Sequence, residues 1–113
     1  PSASDENAVL IREGQNILSK IKDNDHVIAM EVEGEQLDSV ELAKKIQHAF
    51  DTKSSTIDFV VGGSLGLSDE VKKRADYGLS FSKLTFPHQM ARIMLLEQIY
   101  RAFKINSGET YHK

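Results

Sequence analysis

Between Ile57 and Glu70 the chain reads IDFVVGGSLGLSDE. Apolar and β-branched residues run straight into three glycines, and Gly62-Gly63-Ser64-Leu65-Gly66 spells G-x-S-x-G, the pattern of a hydrolase nucleophile elbow. In that chemistry Ser64 is the nucleophile, Asp76 and His88 follow in the order of acid and base, and a helix starts almost at once after the serine. Gly66-Leu67-Ser68-Asp69 instead puts the helix start roughly four residues late, and the chain is short for a hydrolase sheet. A phosphate loop fits no better. The lysine of G-x-x-x-x-G-K-[ST] and the third glycine of G-x-G-x-x-G are both missing. What remains is physical: glycines after a buried strand allow a sharp turn and let a ligand lie against main chain. A sharp turn without a ligand stays open as the alternative.

The other chemistry-bearing residues are scattered. His26, His48, His88 and His112 show no metal-ligand spacing, so no metal site is expected. With no cysteine there is no disulfide, thiolate metal site or thiol nucleophile, and a reducing, cytoplasmic setting is expected. His88, directly after Pro87, falls in the first turn of a helix, where it either meets an anion or packs. The net charge of −3 conceals an asymmetry. Residues 1–58 carry 6 basic and 12 acidic side chains, whereas residues 83–113 carry 5 basic and 2 acidic ones. A polyanion would meet the C-terminal third; a solvated helix face is the plainer alternative.

These residues need elements to hold them. The 113 residues suit one domain, and no apolar run approaches the roughly 20 residues of a membrane span. Ala8, Ile11, Leu18 and Ile21 recur at helical spacing up to about Ile21. HVIAMEV, His26 to Val32, reads as a strand buried on both faces, as in a parallel sheet, with Gly34 ending it. Asp38 and Glu41 form an Asp variant of the capping box ahead of a helix whose apolar stripe is Leu42, Ala43, Ile46, Ala49 and Phe50. Thr56 to Val61 is a second buried strand. Ser68-Asp69 caps a short helix to about Asp76, and Gly78 to Ser82 is a third strand. Pro87 suits the first position of a last helix reaching about Ile105. That helix is apolar around most of its circumference, which calls for cover on more than one side and suggests a subunit interface. The alternation predicts a parallel α/β sheet with ligands at the strand carboxyl ends: Glu33 to Glu35, Gly62 to Ser68 and Ser82 to Phe86.

Four blocks in order, FVVGGSLGL (Phe59 to Leu67), LSFSKLTFPHQ (Leu79 to Gln89), EQIYRAF (Glu97 to Phe103) and the terminal Tyr111-His112-Lys113, resemble the large-subunit ribosomal RNA methyltransferase H family of the SPOUT superfamily. The resemblance runs from about Glu13 to Lys113, and the Ser80-to-Gln89 block and the tail are its specific parts. It implies a parallel α/β sheet with a C-terminal trefoil knot, an exception to the rule against threaded chains. It implies S-adenosyl-L-methionine as methyl donor, N3 of a pseudouridine in 23S rRNA as acceptor, and a homodimer. It also implies one SPOUT domain over residues 1–113, with a further strand and helix of the same sheet ahead of Pro1 in family members.

Carried onto this sequence, the resemblance makes Met30 an apolar contact for the adenosine part, where the family often has Leu. Gly62 lets main chain approach the donor, and Phe81, Ser82, Lys83, Leu84, Thr85 and Phe86 form the knot loop whose backbone reads the adenine edge. His112 and Tyr111 become the candidates for contact with the target base, by proton or by stacking. Arg92, Arg101 and Lys104 suit phosphate contacts in type and charge. So weakly basic a face suits an assembled ribosomal target better than naked RNA. The competing readings are a non-catalytic RNA- or ribosome-binding module with this fold, and the serine hydrolase. If Ser64 is no nucleophile, a serine-reactive phosphonate leaves the chain unlabelled; labelling lost in Ser64→Ala would restore the hydrolase.

Overall fold

The computed structural model describes residues 3–52, 55–63 and 65–108. Helices and strands alternate along them: α1 (Ala3–Lys20), β1 (His26–Gln36), α2 (Ser39–Thr52), β2 (Ile57–Val60), α3 (Asp69–Arg74), β3 (Tyr77–Ser80) and α4 (His88–Asn106). The strands are ordered β2-β1-β3 and both pairings are parallel, as the alternation predicts. Parallel neighbours need long crossovers, and α2 and α3 lie within them.

β1 is the centre. Val27, Ile28 and Ala29 expose no surface at all. Successive strand side chains point to opposite faces. Ile28 packs with Leu42, Ala43, Ile46, Leu79 and Ala102, on the side of α2 and α4. Val27 and Ala29 pack with Val60, Leu67 and Val71, against Ile17 and Leu18 of α1 and Ile21 just after it. The result is three layers with the sheet in the middle. Each fully buried Val or Ile contributes roughly 1.5–3 kcal/mol of transfer free energy.

Gly34 does not end β1. The strand continues to Gln36 and is bulged: both Met30 and Glu35 lie opposite Leu79, so residues 31–34 have no counterpart in β3. A Cβ on Gly34 would lie 2.7 Å from the Gly78 carbonyl carbon, so glycine here permits a close strand approach, not a stop. The returned strand is held by Tyr77, whose hydroxyl donates to Glu35 Oε1 at 2.6 Å, with Lys45 Nζ 3.9 Å from the centre of the Tyr77 ring.

The caps follow the sequence closely. Glu41 N–H donates to Asp38 Oδ1 at 2.7 Å and Asp38 N–H to Glu41 Oε1 at 2.9 Å, a complete capping box. Ser68 caps α3, accepting from Val71 N–H. Phe50 departs from the expected buried stripe: it is exposed at the edge of the layer, 6.3 Å from the Phe103 ring of α4. Pro87 is the N-cap of α4, one position before its first helical residue, and β3 begins at Tyr77 and ends at Ser80.

At the amino edge of the sheet, Arg74 donates to the carbonyls of Lys22 and Asp25, both at 3.0 Å, and Asp76 accepts from Val27 N–H at 2.8 Å. Beside them Asp58 Oδ2 is buried, and no N–H donor among the described residues reaches it. Burial first, then Asp25, pushes the Asp58 carboxyl up to about 6. Asp25 is lowered, chiefly by its hydrogen bond with Asp58. Of the two carboxyls, Asp58 is therefore the one that takes up a proton first as pH falls. An acid raised on folding stabilises the fold below its unfolded pKa, and that contribution is lost as pH rises through the folded value. Asp58→Asn keeps a donor and removes the charge. Its unfolding free energy should match the parent near about pH 4, exceed it increasingly up to pH 6, and stay higher above that, by about 1 kcal/mol after allowance for solvent screening. Equal melting at every pH would show that Asp58 carries no such proton.

Candidate functional site

All three strands point their carboxyl ends at one edge, and the loops that leave them enclose a cavity of about 400 Å³. Met30 and Val32 line it from β1, Gly62 and Gly66 from the loop after β2, and Phe81 and Phe86 from the loop after β3. This is the size and mostly apolar character of a small-molecule site.

The glycine loop is shaped from within. Gly66 N–H donates to the Gly63 carbonyl at 3.0 Å, closing a turn, and Gly66 has φ +82°, a conformation that favours glycine. A Cβ on Gly62 would fall 2.6 Å from both the carbonyl carbon and oxygen of Gly66. Gly62 is thus demanded by the turn itself before any ligand is considered. α3 begins at Asp69 after Ser68, too late for a nucleophile elbow. Ser64 lies outside the described residues.

The loop after β3 is set by two serines. Ser80 is buried, and its hydroxyl donates to the Ser82 carbonyl at 2.9 Å; Ser82 Oγ accepts from Leu84 N–H at 3.1 Å. The side chains of this loop differ in placement. Phe81, Ser82 and Phe86 are half-buried, Leu84 and Thr85 are exposed at the cavity, and Lys83 is exposed and does not line it. His88, the first residue of α4, lines the cavity and is exposed.

The structure thus brings together Met30, Gly62, Phe81, Ser82, Leu84, Thr85 and Phe86. It adds Glu31, Ser80 and Ala91, which sequence reasoning does not single out. Glu31 could have been found as the residue after Met30 at a strand's carboxyl end; Ala91 carries no signal beyond sitting one helical turn after Pro87. The basic residues are not gathered. Arg92 and Arg101 lie about 180° apart around α4 at 100° per residue. Arg101 is half-buried and bonded through Nε to Glu97 at 3.1 Å, Lys104 Nζ sits 5.3 Å from the Tyr100 ring centre, and Arg92 is exposed toward the β2 edge. Tyr111 and His112 lie outside the described residues. Among those described, no group of His, Asp and Glu is arranged to hold a metal ion, and no helix is long and apolar enough to cross a membrane.

A parallel sheet whose carboxyl-end loops close on one small-molecule cavity defines an α/β ligand-binding domain. Comparison with known proteins makes the class particular. The family model described as "Predicted SPOUT methyltransferase" matches residues 1–112. The chain is 56% identical over 112 residues to ribosomal RNA large subunit methyltransferase H 1 of Clostridium perfringens (strain SM101 / Type A), covering 99% of this chain and 70% of that one. It is 59% identical over 102 residues to ribosomal RNA large subunit methyltransferase H of Clostridioides difficile (strain 630), covering 90% and 64%. The protein of that name from Clostridium botulinum (strain Kyoto / Type A2) is 54% identical over 112 residues, covering 99% and 70%. The chain belongs to the SPOUT methyltransferases, in the ribosomal RNA large subunit methyltransferase H family.

Two glycines of the site separate turn strain from mere space. Gly62→Ala, whose methyl meets main chain, should cost about 1–3 kcal/mol in thermal unfolding. Gly63→Ala, whose Cβ meets nothing nearer than Glu13 Oε2 at 3.7 Å, should stay within about 0.5 kcal/mol of the parent. Equal melting of the two variants would refute the assignment of strain to position 62.

Proposed function

We propose that this chain is a methyltransferase that binds S-adenosyl-L-methionine in the strand-end cavity and methylates N3 of a pseudouridine in 23S rRNA of the large ribosomal subunit. The observation that carries this is the convergence of Met30, Gly62 and the 81–86 loop on one cavity in a chain of this family. The bound donor supplies an electrophilic methyl carbon on a sulfonium. The chain's own residues supply position. Met30 offers apolar surface to the adenosine part, the turn at Gly62 offers main chain, and the loop anchored by Ser80 and Ser82 offers backbone polar groups to the adenine edge. Lining up N3 with the methyl carbon at near-attack distance is the chief catalytic task.

Substrate-side roles fall to the tail and α4. His112 takes or orients the N3 proton, and Tyr111 stacks on or bonds to a base. Arg92, Arg101 and Lys104 meet phosphates, with Arg92 the freest for that task because Arg101 is bonded to Glu97. The fold is proposed to be a trefoil knot formed around the 81–86 loop. The protein is proposed to act in the cytoplasm on an assembled ribosomal particle.

A homodimer is proposed along α4. Ile93, Leu96, Tyr100 and Phe103 recur at intervals of three, four and three residues and expose 69%, 65%, 52% and 51% of their surface. That is an apolar seam of the kind helices bury against one another.

Three measurements test the reading. Methyl groups from labelled S-adenosylmethionine should appear in 23S rRNA of ribosomes lacking the modification; donor binding without transfer to any ribosomal particle would refute the enzyme. His112→Ala should lower kcat by roughly 100-fold with donor affinity kept; unchanged transfer would remove His112 from the mechanism. Leu96→Lys should convert the dimer to monomer in sedimentation, and a dimer that survives it would place the interface elsewhere.

A further inference from the structure

The walls of the strand-end cavity are nearly uncharged. Glu31 is the sole acidic side chain among its described lining residues, none of which is lysine or arginine, and His88 is the sole imidazole. Glu31 sits in the stretch of β1 that bulges between Met30 and Glu35. Its carboxylate rests over Gly78 of β3: a Cβ built on Gly78 would lie 2.5 Å from Glu31 Oε2 and 3.5 Å from Glu31 Cδ. Gly78 thus leaves the room the carboxylate occupies, and a side chain at position 78 would displace it. Bulge and glycine together set one negative charge into a wall of apolar side chains and bare main chain. A carboxylate in such surroundings is costly alone and is stabilised by a nearby cation. The cavity lining supplies no lysine or arginine to pair with it, so a cationic ligand would.

We infer that Glu31 is a specificity residue of this cavity, whose carboxylate reads the positive charge on the sulfur of the methyl donor and so favours donor over demethylated product. The inference rests on the proposed S-adenosylmethionine site. The donor and S-adenosylhomocysteine share adenine, ribose and amino acid. They differ by one methyl group and one positive charge. A carboxylate that feels the sulfur distinguishes them, while one bonded to ribose hydroxyls or to the ammonium does not. Charge reading also loosens the product once transfer has neutralised the sulfur, which favours exchange for fresh donor.

Calorimetric titration with three ligands tests this: S-adenosylmethionine, S-adenosylhomocysteine, and sinefungin, which carries an ammonium in place of the methylsulfonium. The parent chain should bind the donor and sinefungin roughly tenfold more tightly than the product. Glu31→Gln should weaken both cationic ligands roughly tenfold and leave the product within about twofold. Glu31→Asp should keep part of the preference, and it serves as the test if Glu31→Gln does not melt as the parent does. Equal weakening of all three ligands would overturn the inference in favour of a contact with a shared group. No change in any of them, or a parent that binds product as tightly as donor, would overturn it as well. A parent chain that binds none of the three would instead defeat the reading of the cavity, and the inference with it.

Discussion

The burial of Val27, Ile28 and Ala29 on both faces of the sheet is the constraint from which the rest follows. A stretch of strand with no exposed side chain must have a layer above and a layer below. It must also pair on both edges, because its backbone polar groups have no water to turn to. β2 and β3 meet that demand, and parallel pairing obliges the chain to return each time by a crossover. The same pairing sends every strand's carboxyl end to one side. The cavity lies on that side, among the loops that leave the three strands.

The two edges of the sheet use different means. At the amino edge, charged groups close the structure: Arg74 bonds the carbonyls of Lys22 and Asp25, Asp76 receives Val27 N–H, and burial and Asp25 raise the pKa of the Asp58 carboxyl. Among the described residues lining the cavity at the carboxyl edge, charge is nearly absent and main chain does the shaping. The Gly63–Gly66 turn, the serine-anchored start of the 81–86 loop and the bulge of β1 are all backbone features. Such an edge leaves polar main chain and apolar side chains facing a cavity, which is what a nucleoside-bearing ligand needs. The one carboxylate among those described lining residues, Glu31, stands out against that background.

α4 is built unlike the other helices. α2 buries a narrow stripe through Leu42, Ala43, Ile46 and Ala49 and turns charged residues outward. α4 buries Leu95 and Ala102 in the domain yet leaves Ile93, Leu96, Tyr100 and Phe103 more than half exposed on another face. Its first turn lines the cavity through His88 and Ala91. The exposed apolar face of α4 therefore begins within a turn of residues that line the cavity.

Much of this was legible in the residues. The stretch HVIAMEV specified a strand, fully buried at Val27 to Ala29 although Val32 is exposed; Asp38 with Glu41 specified a cap, Ser68 another, and the alternation of elements specified parallel pairing. These are local signals, decided within a few positions of the chain. The likeness to the family pointed to Met30, Gly62 and the 81–86 loop as partners, and the structure does bring them to one cavity, Lys83 excepted. Three things were decided by how the chain winds and packs. Gly34 was an ending by local rules and became a bulge because β3 passes 2.7 Å from where its Cβ would be. Glu31 gained meaning through Gly78, 47 positions further on, which leaves space for its carboxylate. Arg92 and Arg101, alike in charge, were separated by the turn of their helix and by Glu97. In each case the deciding atom is remote in sequence or set by the winding of a helix. Residue type and neighbours along the chain determine which element forms, whereas what a side chain touches depends on how the elements meet.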